Sequence, residues 1–392
     1  MSLVIDVDAH FEPGDAWLES YPDLAPKLPA LDLVSAGVKA VCGDLLKSMP
    51  EDQRPPLEDL NPPGLLQLFA QEKLEEKDRR KEFEGKNMNE VANALGRLTW
   101  MDSQGIDLQN VISLAGMAYC AAIDDVGLRQ EVTAASNDWL ANTCAEGRGR
   151  LFPVTVLDYT DLDWAIAELR RMRRLGSRIV LIPGAPVNGM SIVHPSWDKF
   201  WAAVTENGMV AMLHTGFQRM SFETGWGNMA ADPTLLRMFG TSQHYQAPIM
   251  LINAMVLSGL FERFPTLTLM VAELNVGWLP YLYNDIDGRT NPAAELWIGK
   301  WKYPLKPSEY LTRNVRGTPL GHDRPLNKIM EALPEEMLVF SSDFPHFEGF
   351  SNPKTRYDEF FAQYGERRRD LFMGGSTAQL YERMGDPLAL PK

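Results

Sequence analysis

The feature that most constrains this chain is a set of short, densely apolar runs, several of which end abruptly in a histidine or a carboxylate. Leu3–Asp8, Met209–His214 (MVAMLH), Leu267–Glu273 (LTLMVAE) and Met337–Asp343 (MLVFSSD) end in this way. Asn110–Leu114 (NVISL), Phe152–Leu157 (FPVTVL) and Arg178–Ile182 (RIVLI) share the apolar character. Runs without polar alternation suit strands buried on both faces, as in a parallel sheet covered by helices. Helical patterns lie between them. Asp161–Leu175 sets Trp164, Ile166, Leu169 and Met172 beside an arginine-rich face, and Trp197–Thr205 and Pro325–Ala332 are shorter. The rhythm predicts a parallel α/β fold. Seven runs, with Leu311–Val315 (LTRNV) as a weak eighth, would close a (β/α)8 barrel. Periodicity leaves an open doubly wound sheet as the alternative.

One region breaks the rhythm. Residues 14–98 carry a series of prolines and the charge run Glu72–Lys86 (EKLEEKDRRKEFEGK). We expect a single barrel domain over 1–392, with 14–98 as a largely helical insertion that covers the active-site face or forms an oligomer contact.

Composition removes several function classes. With 52 acidic against 38 basic residues, a net charge of −14, nucleic-acid binding is not expected as the main task. No apolar run is long enough for a membrane span. Three cysteines, without CxxC spacing, argue against a disulfide framework and a cysteine-based zinc site. The start of the chain shows no secretory pattern, and a reducing, cytoplasmic location is expected. A Gly-rich phosphate loop and a Gly-x-Ser-x-Gly elbow are both missing, so nucleotide-dependent and serine-hydrolase chemistry are disfavoured.

The polar residues at strand ends carry the chemistry. Successive strand side chains alternate faces, so Asp8 and His10 point the same way and can chelate one metal. Glu12 continues the alternation up to Pro13. His214, Glu273 and Asp343 end later strands, where a barrel gathers its functional groups. His346, three residues past Asp343, is a candidate proton carrier or further ligand. Among the other histidines, His194 reads as a helix entry, while His244 and His322 fall in irregular segments. Arg97 has two readings, a reach toward a substrate carboxylate or a surface salt bridge.

DVDAHFEP at the start, LHTG at 213–216, FERFPTLTLMVAELNVGWLPYL at 261–282 and SSDFPHFEG at 341–349 resemble the amidohydrolase-related family, in the branch of the aminocarboxymuconate-semialdehyde and γ-resorcylate decarboxylases. The resemblance implies a distorted (β/α)8 barrel with a divalent metal at its mouth and a small organic acid or amide as substrate. It maps the family's first-strand ligand pair onto Asp8 and His10. The fifth-strand histidine falls on His214 and the final aspartate, which also handles a proton, on Asp343. The sixth strand departs, with Glu273 where the decarboxylases place a histidine.

Counting charges, Asp8, Glu12, Glu273 and Asp343 against one divalent ion leave a net negative pocket, so a proton or a second cation is expected. Oxygen-rich ligation with imidazole suits manganese or iron as well as zinc, in one or two ions. Glu273 is the candidate bridge between two. The expected catalytic groups are Asp343, His346 and Glu273, and the expected metal ligands are Asp8, His10, Glu12, His214, Glu273 and Asp343. The favoured function is a metal-dependent hydrolase or non-oxidative decarboxylase acting on a small carboxylate or amide. The alternative is a dinuclear iron or manganese oxygenase on the same barrel. A homo- or hetero-oligomer is expected.

Overall fold

The computed structural model describes residues 3–11, 16–29, 42–56 and 93–388, apart from 219, 221, 224, 229–232, 322, 324, 347, 348, 350 and 351. Glu12, His322 and the charge run 72–86 therefore lie outside the described residues. Seven strands form one parallel sheet in chain order: β1 (Ile5–Phe11), β2 (Leu108–Ser113), β3 (Leu151–Thr155), β4 (Ile179–Leu181), β5 (Val210–His214), β6 (Leu269–Ala272) and β7 (Val315–Gly317). Six of the apolar runs become β1 to β6.

The seventh run, Met337–Asp343, closes the circle through its backbone. On one side Gly317 N donates to Met337 O and Val339 N to Gly317 O. On the other, Val7 N donates to Phe340 O, Asp343 N to Asp8 O and His10 N to Phe344 O. The weak eighth run is a different element. Leu311–Asn314 belongs to the helix Pro307–Asn314, and only Val315 enters a strand, β7. A helix-period pattern, with Tyr310 and Leu311 buried, wins there over the short β signal.

Alternation along each strand sorts the core into two layers. Ile5, Val7, Leu108, Val154, Ile179, Leu181, Val210, Met212, Met270 and Val339 pack together inside the barrel. Val111, Val180, Ala211, Leu213, Leu269, Val271 and Phe340 face the surrounding helices. The helix Leu162–Arg174 shows how the sequence sets an element. Asp161 caps it by accepting from Asp163 N and Trp164 N, and its buried face, Ala165, Ile166, Leu169 and Met172, follows the helical period.

The described part of the insertion packs on the segment after β5. Asp44 Oδ2 accepts from Met220 N at 3.0 Å, and Ser48 Oγ accepts from Gly227 N at 2.9 Å. Gly227 permits this approach, because a Cβ there would stand 2.1 Å from Met49 Cγ. Among the described residues, no helix is long and apolar enough to cross a membrane.

Candidate metal centre

A β-bulge in β1 decides which side chains reach the barrel interior. The pairing of β1 with β2 shifts between Asp6 and Ala9. Ile5 and Val7 lie in the inner layer, but Phe11 lies in the outer one. The phase of the strand has therefore flipped, as an extra residue makes it do. Asp8 and His10 consequently sit on the inner side, fully buried, beside His214 at the end of β5.

Five groups from four strand ends meet there. His10 Nε2 lies 3.6 Å from Asp8 Oδ1, 3.4 Å from Asp343 Oδ1 and 3.9 Å from Glu273 Oε2. His214 Nε2 lies 3.4 Å from Asp8 Oδ1 and 2.9 Å from Glu273 Oε2. His346 joins them. Its Nδ1 is 3.0 Å from Asp343 Oδ1, and its ring lies 3.9 Å from that of His10. Among the described residues the donors fall into two overlapping sets that share His10: Asp8, His10 and His214, and His10, Glu273, Asp343 and His346. Either set could hold a metal ion.

Local backbone aims these groups. Glu273 and Asp343 both take a left-handed conformation, with φ of 54° and 53°. That conformation costs a residue with a Cβ on the order of 1–2 kcal/mol and turns the chain sharply at the strand end. His214 Nδ1 donates to Thr215 O at 2.7 Å, which leaves Nε2 facing the carboxylates.

The electrostatics call for a cation. Asp8 Oδ2 and Asp343 Oδ2 are buried and accept no hydrogen bond from the described residues. Burial, reinforced by His346, pushes the His10 pKa well below the usual histidine range. Burial also opposes charge on His214, but Asp8 and Glu273 outweigh it and raise its pKa well above that range. Three carboxyl groups gathered around two imidazoles, with buried oxygens that no described residue bonds, form a cluster that a cation would satisfy.

Arg97 corrects both of its sequence readings. It is buried, with one terminal nitrogen donating to the His10 carbonyl and the other to Gln109 Oε1 at 2.7 Å. Its guanidinium lies over Phe11 and Phe344, 4.6 and 4.9 Å from their ring centres. Gln109 Nε2 in turn donates to Asp6 Oδ2 at 2.7 Å, and Ser342 donates to Asp6 from both its N and its Oγ, at 2.9 and 2.5 Å. This outer-layer network ties β1 and β2 to the closing segment. Sequence reasoning missed Asp6, Gln109 and Ser342. No local signal marked them: the strand period puts Asp6 on the same face as Asp8, and only the bulge sends the two to opposite faces.

The remaining histidines separate. His194 Nδ1 accepts from Ser196 N at 3.1 Å and caps a short helical turn. His244 Nε2 is buried and has no hydrogen-bond partner among the described residues, and Glu273 is a charged group that acts on it.

Comparison with known proteins places this geometry. The amidohydrolase family model matches residues 5–383. γ-Resorcylate decarboxylase of Rhizobium sp. (strain MTP-10005) is 28% identical over 266 residues, 64% of this chain and 76% of its own. Its counterpart in Rhodococcus jostii (strain RHA1) is 28% identical over 276 residues, 67% of this chain and 80% of its own. Among solved structures, an amidohydrolase of Mycobacterium avium subsp. paratuberculosis K-10 superposes with a TM-score of 0.64 at 20% identity, covering 97% of this chain and 99% of that one. A dihydroxybenzoic acid decarboxylase of Polaromonas sp. JS666, solved with bound manganese and 2-nitroresorcinol, gives 0.61 at 19% identity, with 97% of each chain covered.

Proposed function

Since the chain belongs to the amidohydrolase family, we propose that it is a metal-dependent, non-oxidative decarboxylase of a small aromatic acid. The observation that carries this reading is the buried convergence of Asp8, His10, His214, Glu273 and Asp343 at the strand ends. The curated relatives, γ-resorcylate decarboxylases, favour decarboxylation over hydrolysis. Manganese in the Polaromonas structure favours manganese here, and the carboxylate-rich donor set suits it.

Asp8, His10, His214 and Asp343 would hold the cation, with Glu273 as a further ligand. Bound there, a divalent ion supplies Lewis acidity toward the carboxylate of the acid. The protein handles the proton. Asp343 Oδ1 and His346 Nδ1 are hydrogen-bonded, and this pair delivers a proton to the ring carbon that bears the carboxylate. The carbon–carbon bond then breaks, its electron pair stays in the ring and CO2 leaves. Where the resemblance places a histidine on the sixth strand this chain has Glu273, and His346 supplies an imidazole from the closing segment instead. Insertion 14–98 covers the rim in this reading, supported by the packing of 42–49 on the segment after β5.

A second reading, a dinuclear iron or manganese oxygenase, is favoured by one observation: the donors form two sets that share His10. Two measurements decide between them. Protein purified without chelator is analysed for metal, and CO2 release from 2,6-dihydroxybenzoate is followed. We expect manganese and CO2. His346→Asn should slow release by about 10²- to 10⁴-fold, the range of general acid–base catalysis, with metal content unchanged. Two irons per chain, oxygen uptake and no CO2 would establish the second reading instead.

A further inference from the structure

Two buried hydroxyls near the strand ends that carry the candidate ligands have no hydrogen-bond partner among the described residues: Thr318 Oγ1 and Ser341 Oγ. Strand register places the first. His214 on β5 pairs with Ala272 on β6, and Met270 pairs with Arg316 on β7. Two residues further along, Thr318 therefore stands level with Ala272 and His214, a position secured by Thr318 N donating to Val271 O. Because Met270 and Ala272 face the inner layer, alternation turns Thr318 inward as well. Ser341 lies on the adjacent closing segment. Gly317 bridges Leu338 there, Val339 belongs to the inner layer and Phe340 to the outer one, so Ser341 also faces inward. Between His214 and Thr318, Ala272 contributes only a methyl group.

An unmade hydrogen bond on a buried hydroxyl costs roughly 1–3 kcal/mol, so these two, on neighbouring segments and offset by two residues, call for a partner. The opposite arc of the inner layer is different. One step deeper than His214, at the level where Leu181 pairs with Met212, its inward residues are Ile112, Val156 and Leu181, all apolar. The site thus has an apolar wall and a hydroxyl-bearing wall, with the carboxylate cluster between them. We propose that Thr318 and Ser341 form a hydroxyl subsite that reads an oxygen substituent on the ring of the aromatic acid, and so determine specificity. This rests on the proposed function of the same site. The ring face lies against the apolar arc, and its phenolic oxygen exchanges hydrogen bonds with the two hydroxyls.

The test is binding of benzoate and of 2-, 3- and 4-hydroxybenzoate to the metal-containing protein, measured by calorimetry. One hydroxybenzoate should bind at least about tenfold more tightly than benzoate, the discrimination expected of a site built to pair a hydroxyl. In the Thr318→Val, Ser341→Ala double variant that preference should disappear, with the benzoate affinity and metal content unchanged. Thr318→Ser, which keeps the hydroxyl, should keep the preference. Survival of the preference in the double variant overturns the proposal, as does an equal loss for both acids, or a wild type that binds neither acid or shows no preference. Intact preference without CO2 release from any of the acids would overturn the decarboxylase reading and leave the subsite standing. Release from an acid whose preference ignores both substitutions would do the reverse.

Discussion

At the scale of single residues, Asp6 and Asp8 show how one strand assigns opposite tasks to the same side chain. Asp8 faces inward to the cation site; Asp6 faces outward into a hydrogen-bonded network. Burial pushes the Asp6 carboxyl up to about 7, against the lowering effect of its bonds from Ser342 and Gln109, and nearby Asp8 adds to the rise. The folded state therefore keeps this proton over a range where the unfolded chain, near 3.9, has released it. Stability from this group is fully present below about pH 4 and is lost as pH rises toward 7, by on the order of 4 kcal/mol over the whole window. In metal-free protein, the melting temperature of Asp6→Asn relative to wild type should rise between pH 4 and pH 7 and then level off. Parallel melting curves across that window would refute the assignment. The inward set was legible because histidines and carboxylates end apolar runs. Asp6 and Arg97 were not, since nothing local distinguishes a buried, bonded polar group from a solvated one; only the partners supplied by β2 and the closing segment do.

At the scale of elements, six strands and the closing segment were visible as apolar runs, because burial on both faces leaves that composition. β7 was not. It is three residues long and contains Arg316 and Gly317, and its strand character comes from pairing with β6. The bulge in β1 was equally hidden, yet without its phase change Asp8 and His10 would face the helices. The element that holds the bulged strand from outside is the helix Ala94–Gln104, through Arg97 and its bond to the His10 carbonyl. Arg97→Met keeps the stem but strands that carbonyl and Gln109 Oε1. It should lower folding stability by about 2–4 kcal/mol, as losing a buried charged donor does. It should also weaken manganese binding about 10- to 100-fold, the usual cost of removing a group that orients a ligand. Arg97→Lys retains charge but cannot span both acceptors, so it should rescue little. Manganese titration of the folded variants is the check. Unchanged affinity alongside lowered stability would restrict Arg97 to packing.

At the scale of the whole molecule, the candidate site lies where the two ends of the barrel sheet meet. Asp8 and His10 come from the first strand, and Asp343 and His346 from the segment that closes the circle after β7. That seam is joined by a few backbone bonds, among them Asp343 N to Asp8 O and His10 N to Phe344 O, and by the Asp6–Ser342 pair. A cation shared across it would act as a clip between segments distant in sequence, and would neutralise carboxylates that repel one another there. Binding only the folded state, it would add about 2.7 kcal/mol when present at 100 times its dissociation constant. Chelation should therefore lower the melting temperature, and its structural effect should be local. Amide exchange should quicken in residues 5–11 and 337–346, which lose the clip, while β3 and β4, on the far side of the barrel, keep their protection. Hydrogen–deuterium exchange before and after metal removal measures this difference. Equal loosening around the whole circle, or none at the seam, would mean that the cation does not bridge the first strand to the last segment.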